Sequence, residues 1–301
     1  ISSDSPNIGI SSLNANRRGE GSWTIFADVS KTSPELGGTL QFYKDGKLTA
    51  TEMLLPSNEK NEKIIFSSDG NNQSLIEIKL IADGFDALDS DNTASIVLPL
   101  MRPLCVYVSS SMPSVKSCMD GISGLKINTE QSSGMFYDLM ITDKENDLKI
   151  SDFGTLLTTG IVPADIKNII KIQNKQGNII DWDFDDPLLR HVELSELVIM
   201  ENPSIIENLP QNQNLQTYRY ETVAHGEQGP TIIKKSQVGR LSYHILFHVE
   251  KSTLPYRIAF PILITNLVGI SMNQSGLSDV KATETGILPD IKISPVTVCS
   301  V

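Results

Sequence analysis

Arg102-Pro-Leu-Cys-Val-Tyr-Val-Ser-Ser-Ser-Met-Pro113 is where the pattern of this 301-residue chain changes. Leu104 to Val108 is an unbroken apolar run, as expected of a strand covered on both faces, and it opens directly into three serines and a proline. Upstream the apolar residues alternate with polar ones, the pattern of a strand with one wet face. The two patterns predict two kinds of sheet, one on each side of Arg102-Pro103.

On the upstream side, Trp23-Thr-Ile-Phe-Ala-Asp-Val29 and Thr39-Leu-Gln-Phe-Tyr43 both alternate. Lys44-Asp-Gly-Lys47 then predicts a tight hairpin in which Gly46 takes a positive φ. Lys63-Ile-Ile-Phe66, Ser74 to Ile81 and Thr93 to Leu98 continue the series, with almost no amphipathic helix between them. Residues 1–100 therefore predict an Ig-like antiparallel β-sandwich.

Downstream, Val115 to Ile122 predicts a short helix capped by Ser111 or Ser114. Tyr137 to Thr142 and Gly154 to Gly160 predict two more buried strands, parallel to the first, so residues 101–272 predict a small α/β domain with weak helices. From Thr217 the pattern is β again through Arg240 to Val249. Tyr256 to Ser271 is then the best helix in the chain, with Pro261 confining its start. Residues 273–301 predict a β tail that begins a further module.

Composition narrows the function. Lys plus Arg number 25 against 36 Asp plus Glu, and a net charge of −11 repels phosphate backbones, which excludes nucleic acid as a partner. The longest apolar run, Ile258 to Ile270, falls short of the ~20 residues of a spanning helix, so any membrane attachment is expected through segments outside this chain. The chain opens at Ile1 without a signal peptide and is expected to be a fragment of something longer. Cys105, Cys118 and Cys299 are too few and too far apart for a zinc site or a disulfide framework.

Several motifs share an order with one known arrangement. They are Asp86-Ala-Leu-Asp-Ser-Asp-Asn92 leading to Leu98-Pro99, Arg102-Pro-Leu104, Ile180-Asp-Trp182, Pro187-Leu-Leu-Arg-His-Val-Glu-Leu-Ser195, and Phe260-Pro-Ile-Leu263 with Asn266-Leu267. Together, over roughly Ile8 to Ser271, they resemble the region that follows the von Willebrand factor A domain in bacterial BatA-type membrane proteins. The resemblance implies an Ig-like sandwich and a degenerate class I glutamine amidotransferase-like, flavodoxin-like α/β domain. It also implies a protein anchored in the membrane, with this region outside the cytoplasm. Amidotransferases carry a nucleophilic Cys on a glycine-flanked strand-to-helix elbow; the comparable segment here, Leu156-Leu-Thr-Thr-Gly-Ile-Val162, has no Cys and no Ser.

The acidic stretch Asp181-Trp-Asp-Phe-Asp-Asp-Pro187 invites a site. Its odd-position aspartates open like an EF-hand loop, but Asp186 replaces the glycine at position six and Val192 stands at position twelve, so no calcium site is expected. The favoured reading is a surface turn in which Trp182 and Phe184 dock on the core and the carboxylates are solvated or pair with Arg190. Should the turn bind a ligand, the candidates are Trp182, Asp183, Asp185, Arg190 and His191. Asp28-Val-Ser-Lys-Thr-Ser33 resembles a cation-holding loop but runs into another strand where a helix is needed. His244 and His248, on an expected strand, stand ~13 Å apart and cannot share an ion. Asp138, Asp143, Glu145 and Asp147 are expected as a solvated edge. Neither a catalytic residue nor a metal or cofactor is expected, and a protein partner is the anticipated ligand. The competing readings are a hydrolase or amidotransferase-like enzyme using Ser109, Ser110 or Ser111, and a carbohydrate-binding module stacking sugars on Trp23 or Trp182.

Overall fold

The computed structural model describes residues 5–18, 21–206 and 214–282, and the chain divides into two compact units after Arg102. The first unit contains β1 (Ile8–Arg18), β2 (Ser22–Lys31), β3 (Gly38–Lys44), β4 (Lys47–Leu54), β5 (Asn61–Asp69), β6 (Ser74–Ala82) and β7 (Thr93–Leu98). They form two antiparallel sheets, β1-β2-β5 and β4-β3-β6-β7, the sandwich arrangement of Ig-like domains. Alternation does the sorting. Trp23, Ile25, Ala27 and Val29 of β2 face inward against Leu40, Phe42, Ile76, Ile78 and Ile96 of the other sheet. The β3–β4 hairpin turns on Asp45 and Gly46, with φ of 51° and 76°, the geometry that two-residue loops use to match strand twist. Trp23 is fully buried in this core, so it offers no platform for a sugar. The expected separate tail from residue 273 takes another course: Leu277 returns to the first unit, where Val280–Lys281 pairs with β1.

In the second unit, β8 (Leu104–Val108), β9 (Leu125–Asn128), β10 (Phe136–Thr142) and β11 (Asp152–Thr159) are parallel. They are followed by β12 (Ile170–Gln173), β13 (Gly177–Trp182), β14 (Val198–Ile199), β15 (Asn202–Ile205), β16 (Glu221–Gly226), β17 (Pro230–Gln237) and β18 (Arg240–Ile245). One nine-stranded sheet runs β14-β13-β16-β17-β18-β11-β10-β8-β9, parallel from β9 to β18 and antiparallel beyond; β12 and β15 form a separate ribbon. The helices are α1 (Pro113–Met119) and α2 (Ala259–Gln274). Pro261 lies in the first turn of α2, where its missing N–H has no intrahelical partner to lose.

The α/β layering expected for residues 101–272 is not supported, because the chain is mostly strand and only these two α-helices occur among the described residues of the unit. Connection length explains this. Residues 129–135 join β9 to β10 and 143–151 join β10 to β11, fewer than the dozen or so that a helical crossover needs. The strands are nonetheless buried on both faces. The ladder register puts Cys105, Tyr107, Met140 and Leu156 on one face, where Met135, Leu148 and Phe153 from strand ends and turns cover them. Leu263, Ile264, Leu267 and Val268 form a buried stripe on α2, which packs against β10 and β11. No helix among the described residues is long and apolar enough to cross a membrane.

Candidate functional site

Open parallel sheets bind ligands beyond the carboxyl ends of their strands, so that edge comes first. Ser109 follows β8 and is buried; its Oγ lies 2.8 Å from Ser111 Oγ, which donates at 2.5 Å to Asp143 Oδ1 beyond β10. No serine caps α1. The N-cap position is Met112, and Ser114 instead donates its N–H and Oγ to the two carboxylate oxygens of Glu250, at 2.9 and 2.7 Å.

His248 lies beyond β18, which ends at Ile245 and not near Val249 as the alternation suggests. Its Nδ1 is 2.6 Å from Glu201 Oε2, its backbone N–H donates to the same oxygen at 2.9 Å, and Lys251 Nζ donates to Oε1 at 2.8 Å. Burial pushes the Glu201 pKa up, but these donors outweigh it and hold the carboxyl at about 2. Gly160, beyond β11, completes the group: its φ is +68°, and a Cβ there would come within 2.4 Å of the His248 ring. Among the described residues neither Ser109 nor Ser111 is hydrogen-bonded to an imidazole, which is the contact that would activate a serine nucleophile.

The acidic stretch after β13 folds as irregular chain held from several sides. Its anchor is Asp186, 3% exposed, which in sequence stands out only as a break in the EF-hand pattern. Asp186 Oδ1 accepts the Leu188 N–H at 2.9 Å and the Tyr243 hydroxyl at 3.1 Å, and Oδ2 pairs with Lys234 at 2.9 Å. Burial lowers the Lys234 pKa, but the bond and charge of Asp186 outweigh it and leave the ammonium above its ordinary value. The Asn266 side chain of α2 donates to the Leu188 and Arg190 carbonyls at 3.0 and 2.8 Å, and Leu188, Leu189, Val192, Leu194 and Leu197 fill the space beneath.

The five candidates are accordingly dispersed. Trp182 is half-buried, 5.0 Å from the Phe184 ring at 52°, while Phe184 itself is exposed and does not dock on the core. Asp183 and Asp185 are exposed, tied to each other by an Asp185 N–H donating to Asp183 Oδ1 at 2.9 Å. Arg190 is exposed and makes no ion pair among the described residues, so the carboxylates of the segment do not pair with it; Asp186, the buried one, pairs with Lys234. His191 holds a left-handed backbone, φ 61°, and lines a cleft of about 610 Å³ with Glu193, Leu197, Tyr256, Arg257 and Ile258 and with none of the aspartates. Two residues of that cleft, Tyr256 and Ile258, are 88% and 82% exposed, and neither stands out in sequence from the helix that follows.

Two other expectations change. Asp138 and Asp147 are buried, Asp138 accepting the Cys105 N–H at 2.8 Å and Asp147 accepting the Tyr107 and Thr142 hydroxyls at 3.0 and 2.5 Å. His244 is also buried, with Nδ1 2.7 Å from Thr158 Oγ1, and burial pushes its pKa down to about 4. Among the described residues no three His, Cys, Asp or Glu side chains converge to hold a metal. Cys105 and Cys118 form no disulfide among the described residues, and Cys299 lies outside them.

No protein-family model and no curated protein matches the sequence. Among solved structures, similarity is found to a Paenibacillus cycloisomaltooligosaccharide glucanotransferase in complex with cycloisomaltoheptaose, at 13% identity and a TM-score of 0.25, covering 38% of this chain and 19% of that one. A β-glucosidase 3B from Thermotoga neapolitana, in complex with α-D-glucose, gives 13% identity and a TM-score of 0.20 over 31% of this chain and 16% of that one. The chain thus spans a fifth or less of the length of either, and likeness at that level assigns neither fold nor activity.

Proposed function

We propose that this chain is a non-catalytic, protein-binding region of a membrane-anchored bacterial protein, with the anchor outside the chain and this region outside the cytoplasm. The observation that carries the reading is the pairing at the carboxyl edge of the parallel strands. Ser111 with Asp143, Ser114 with Glu250, and His248 with Glu201 and Lys251 bond to one another, in the place where an enzyme of this sheet type would turn such groups toward a substrate. The strand order of β9-β8-β10-β11-β18, second-first-third-fourth-fifth among these strands in the chain, is that of flavodoxin-like sheets and supports descent from an amidotransferase-like domain that has lost its nucleophile and the helices between β9 and β10 and between β10 and β11.

A fluorophosphonate probe, which phosphonylates activated serines with loss of fluoride, tests it. Intact mass after hours of exposure is expected to show no adduct. Stoichiometric labelling of Ser109, Ser110 or Ser111, abolished by His248→Gln, would establish an enzyme and end the non-catalytic reading.

A further inference from the structure

We infer that the cleft between residues 193–197 and the start of α2 is the docking site for a short basic segment of a partner protein, one that sets a Leu- or Phe-sized side chain beside an Arg or Lys. The inference rests on the protein-binding reading and adds the place and the chemistry. A volume of about 610 Å³ accommodates one large side chain and its adjoining backbone. Leu197 and Leu254 are buried at its base, and Tyr256 and Ile258 stand almost fully exposed at its rim. Tyr and Arg beside an apolar pocket are the residue types that dominate binding energy at protein interfaces.

The walls are fixed before anything binds. Arg257 donates to the Glu196 carboxylate at 2.9 Å and to the Glu196 carbonyl at 3.0 Å. Val198 and Thr253 exchange two further bonds at 3.0 Å, the Val198 N–H to Thr253 Oγ1 and the Thr253 N–H to the Val198 carbonyl. Both sides of the cleft are therefore tied together, and ordering them on binding forfeits little entropy.

Charge selects the occupant. The lining holds the His191 ring, the Glu196–Arg257 pair and the Glu193 carboxylate, which has no cationic partner among the described residues and accepts from neutral groups of Ser195 and Leu194, the Ser195 N–H at 2.9 Å. A second copy of a chain carrying a net −11 is repelled, and so is an anionic lipid surface. A cationic segment with an apolar anchor is attracted on both counts.

Panning a phage-displayed library of random 12-residue peptides on the intact 301-residue chain tests the assignment. Enriched peptides are expected to combine a Leu or Phe with neighbouring Lys or Arg. Tyr256→Ala and Ile258→Asp, both on exposed positions, are each expected to weaken a selected peptide by about tenfold or more. Glu193→Gln is expected to weaken it about threefold and to flatten its salt dependence. Urea midpoints equal to the parent's confirm that the variants fold. Failure to enrich, an acidic consensus, or peptides indifferent to Tyr256 and Ile258 would overturn the assignment. So would a solution dimer broken by Ile258→Asp, or saturable binding to phosphatidylserine vesicles. A serine adduct would defeat the non-catalytic reading without touching these titrations, whereas peptides that ignore the cleft would defeat the docking site alone.

Discussion

Replacing Asp186 with Ala separates a structural acidic segment from a ligand-binding one. The side chain is 1% exposed and accepts three hydrogen bonds, one from backbone, one from a buried phenol and one from an ammonium. Each neutral bond is worth about 1 kcal/mol and the charged one about 2 kcal/mol. Truncation also leaves the Tyr243 hydroxyl buried without its acceptor. The expected loss is about 3–5 kcal/mol, the range for breaking a buried pair by removing one partner. For a unit of this size that lowers the melting temperature by roughly 10 °C.

Asp186→Asn sharpens the test. The amide oxygen can still accept from Leu188 and Tyr243, but the amide nitrogen then faces the Lys234 ammonium, donor against donor. A loss of about 2–3 kcal/mol is expected, and Lys234→Met in the same chain should restore a large part of it. Asp185→Ala, on an exposed carboxylate, should stay within about 0.5 kcal/mol. Urea unfolding followed by intrinsic fluorescence reads all four variants, since Trp182 sits at the start of the segment. If Asp185→Ala costs as much as Asp186→Ala, or if Asp186→Ala costs less than about 1 kcal/mol, the assignment of Asp186 as the anchor is wrong.

Two further outcomes follow from the second unit. His244 has a folded pKa of about 4 against an ordinary value of 6.5, so the unfolded chain takes up a proton first as pH falls. Stability is full above pH 6.5 and is lost toward pH 4 at up to about 1.4 kcal/mol per pH unit; His244→Gln should remove that slope, and a wild-type stability flat between pH 7 and 5 would contradict it. Gly160→Ala adds a methyl group at a positive φ and against the His248 ring, which Glu201 holds in place. A destabilisation of about 2–4 kcal/mol is expected by chemical denaturation, together with a shift of the His248 ring signals in NMR; a change below about 1 kcal/mol would show that the ring yields freely.

Local pattern made the first unit legible. Alternation, the Asp45-Gly46 turn and the change at Arg102-Pro103 are properties of short stretches, and each corresponds to a strand, a hairpin or the boundary between units. In the second unit the parallel strands β8, β10 and β11 were legible for the same reason, as were the start of α2 near Pro261 and the hairpins from β16 to β18. The side-chain partners were not. Asp186 meets Lys234 and Tyr243 across about fifty residues of chain, Ser114 meets Glu250 across more than a hundred, and no spacing rule links such positions. Four neighbouring aspartates read alike in sequence, yet one is buried and those around it are wet, because only the folded sheet brings a lysine and a phenol to that one.

The same geometry explains what two of the sequence motifs do in this chain. Asp86 accepts the Ile8 N–H and the Asn92 side chain, and Asp91 accepts the Asn7 side chain, so the motif of residues 86–92 ties the start of β1 to the turn before β7. Pro187 to Ser195 and Asn266 lie far apart in sequence and meet through the two carbonyl bonds of Asn266. These motifs hold loops that have no secondary structure to hold them, through bonds that are mostly partly buried. Such residues therefore speak to how the chain folds and leave its chemistry open. The residues offered for binding, Tyr256, Ile258 and Glu193, lie on the walls that the Glu196–Arg257 and Val198–Thr253 bonds tie together. Changing the rim at Tyr256 or Ile258 therefore leaves in place the bonds that hold the walls, which run between Arg257 and Glu196 and between Val198 and Thr253.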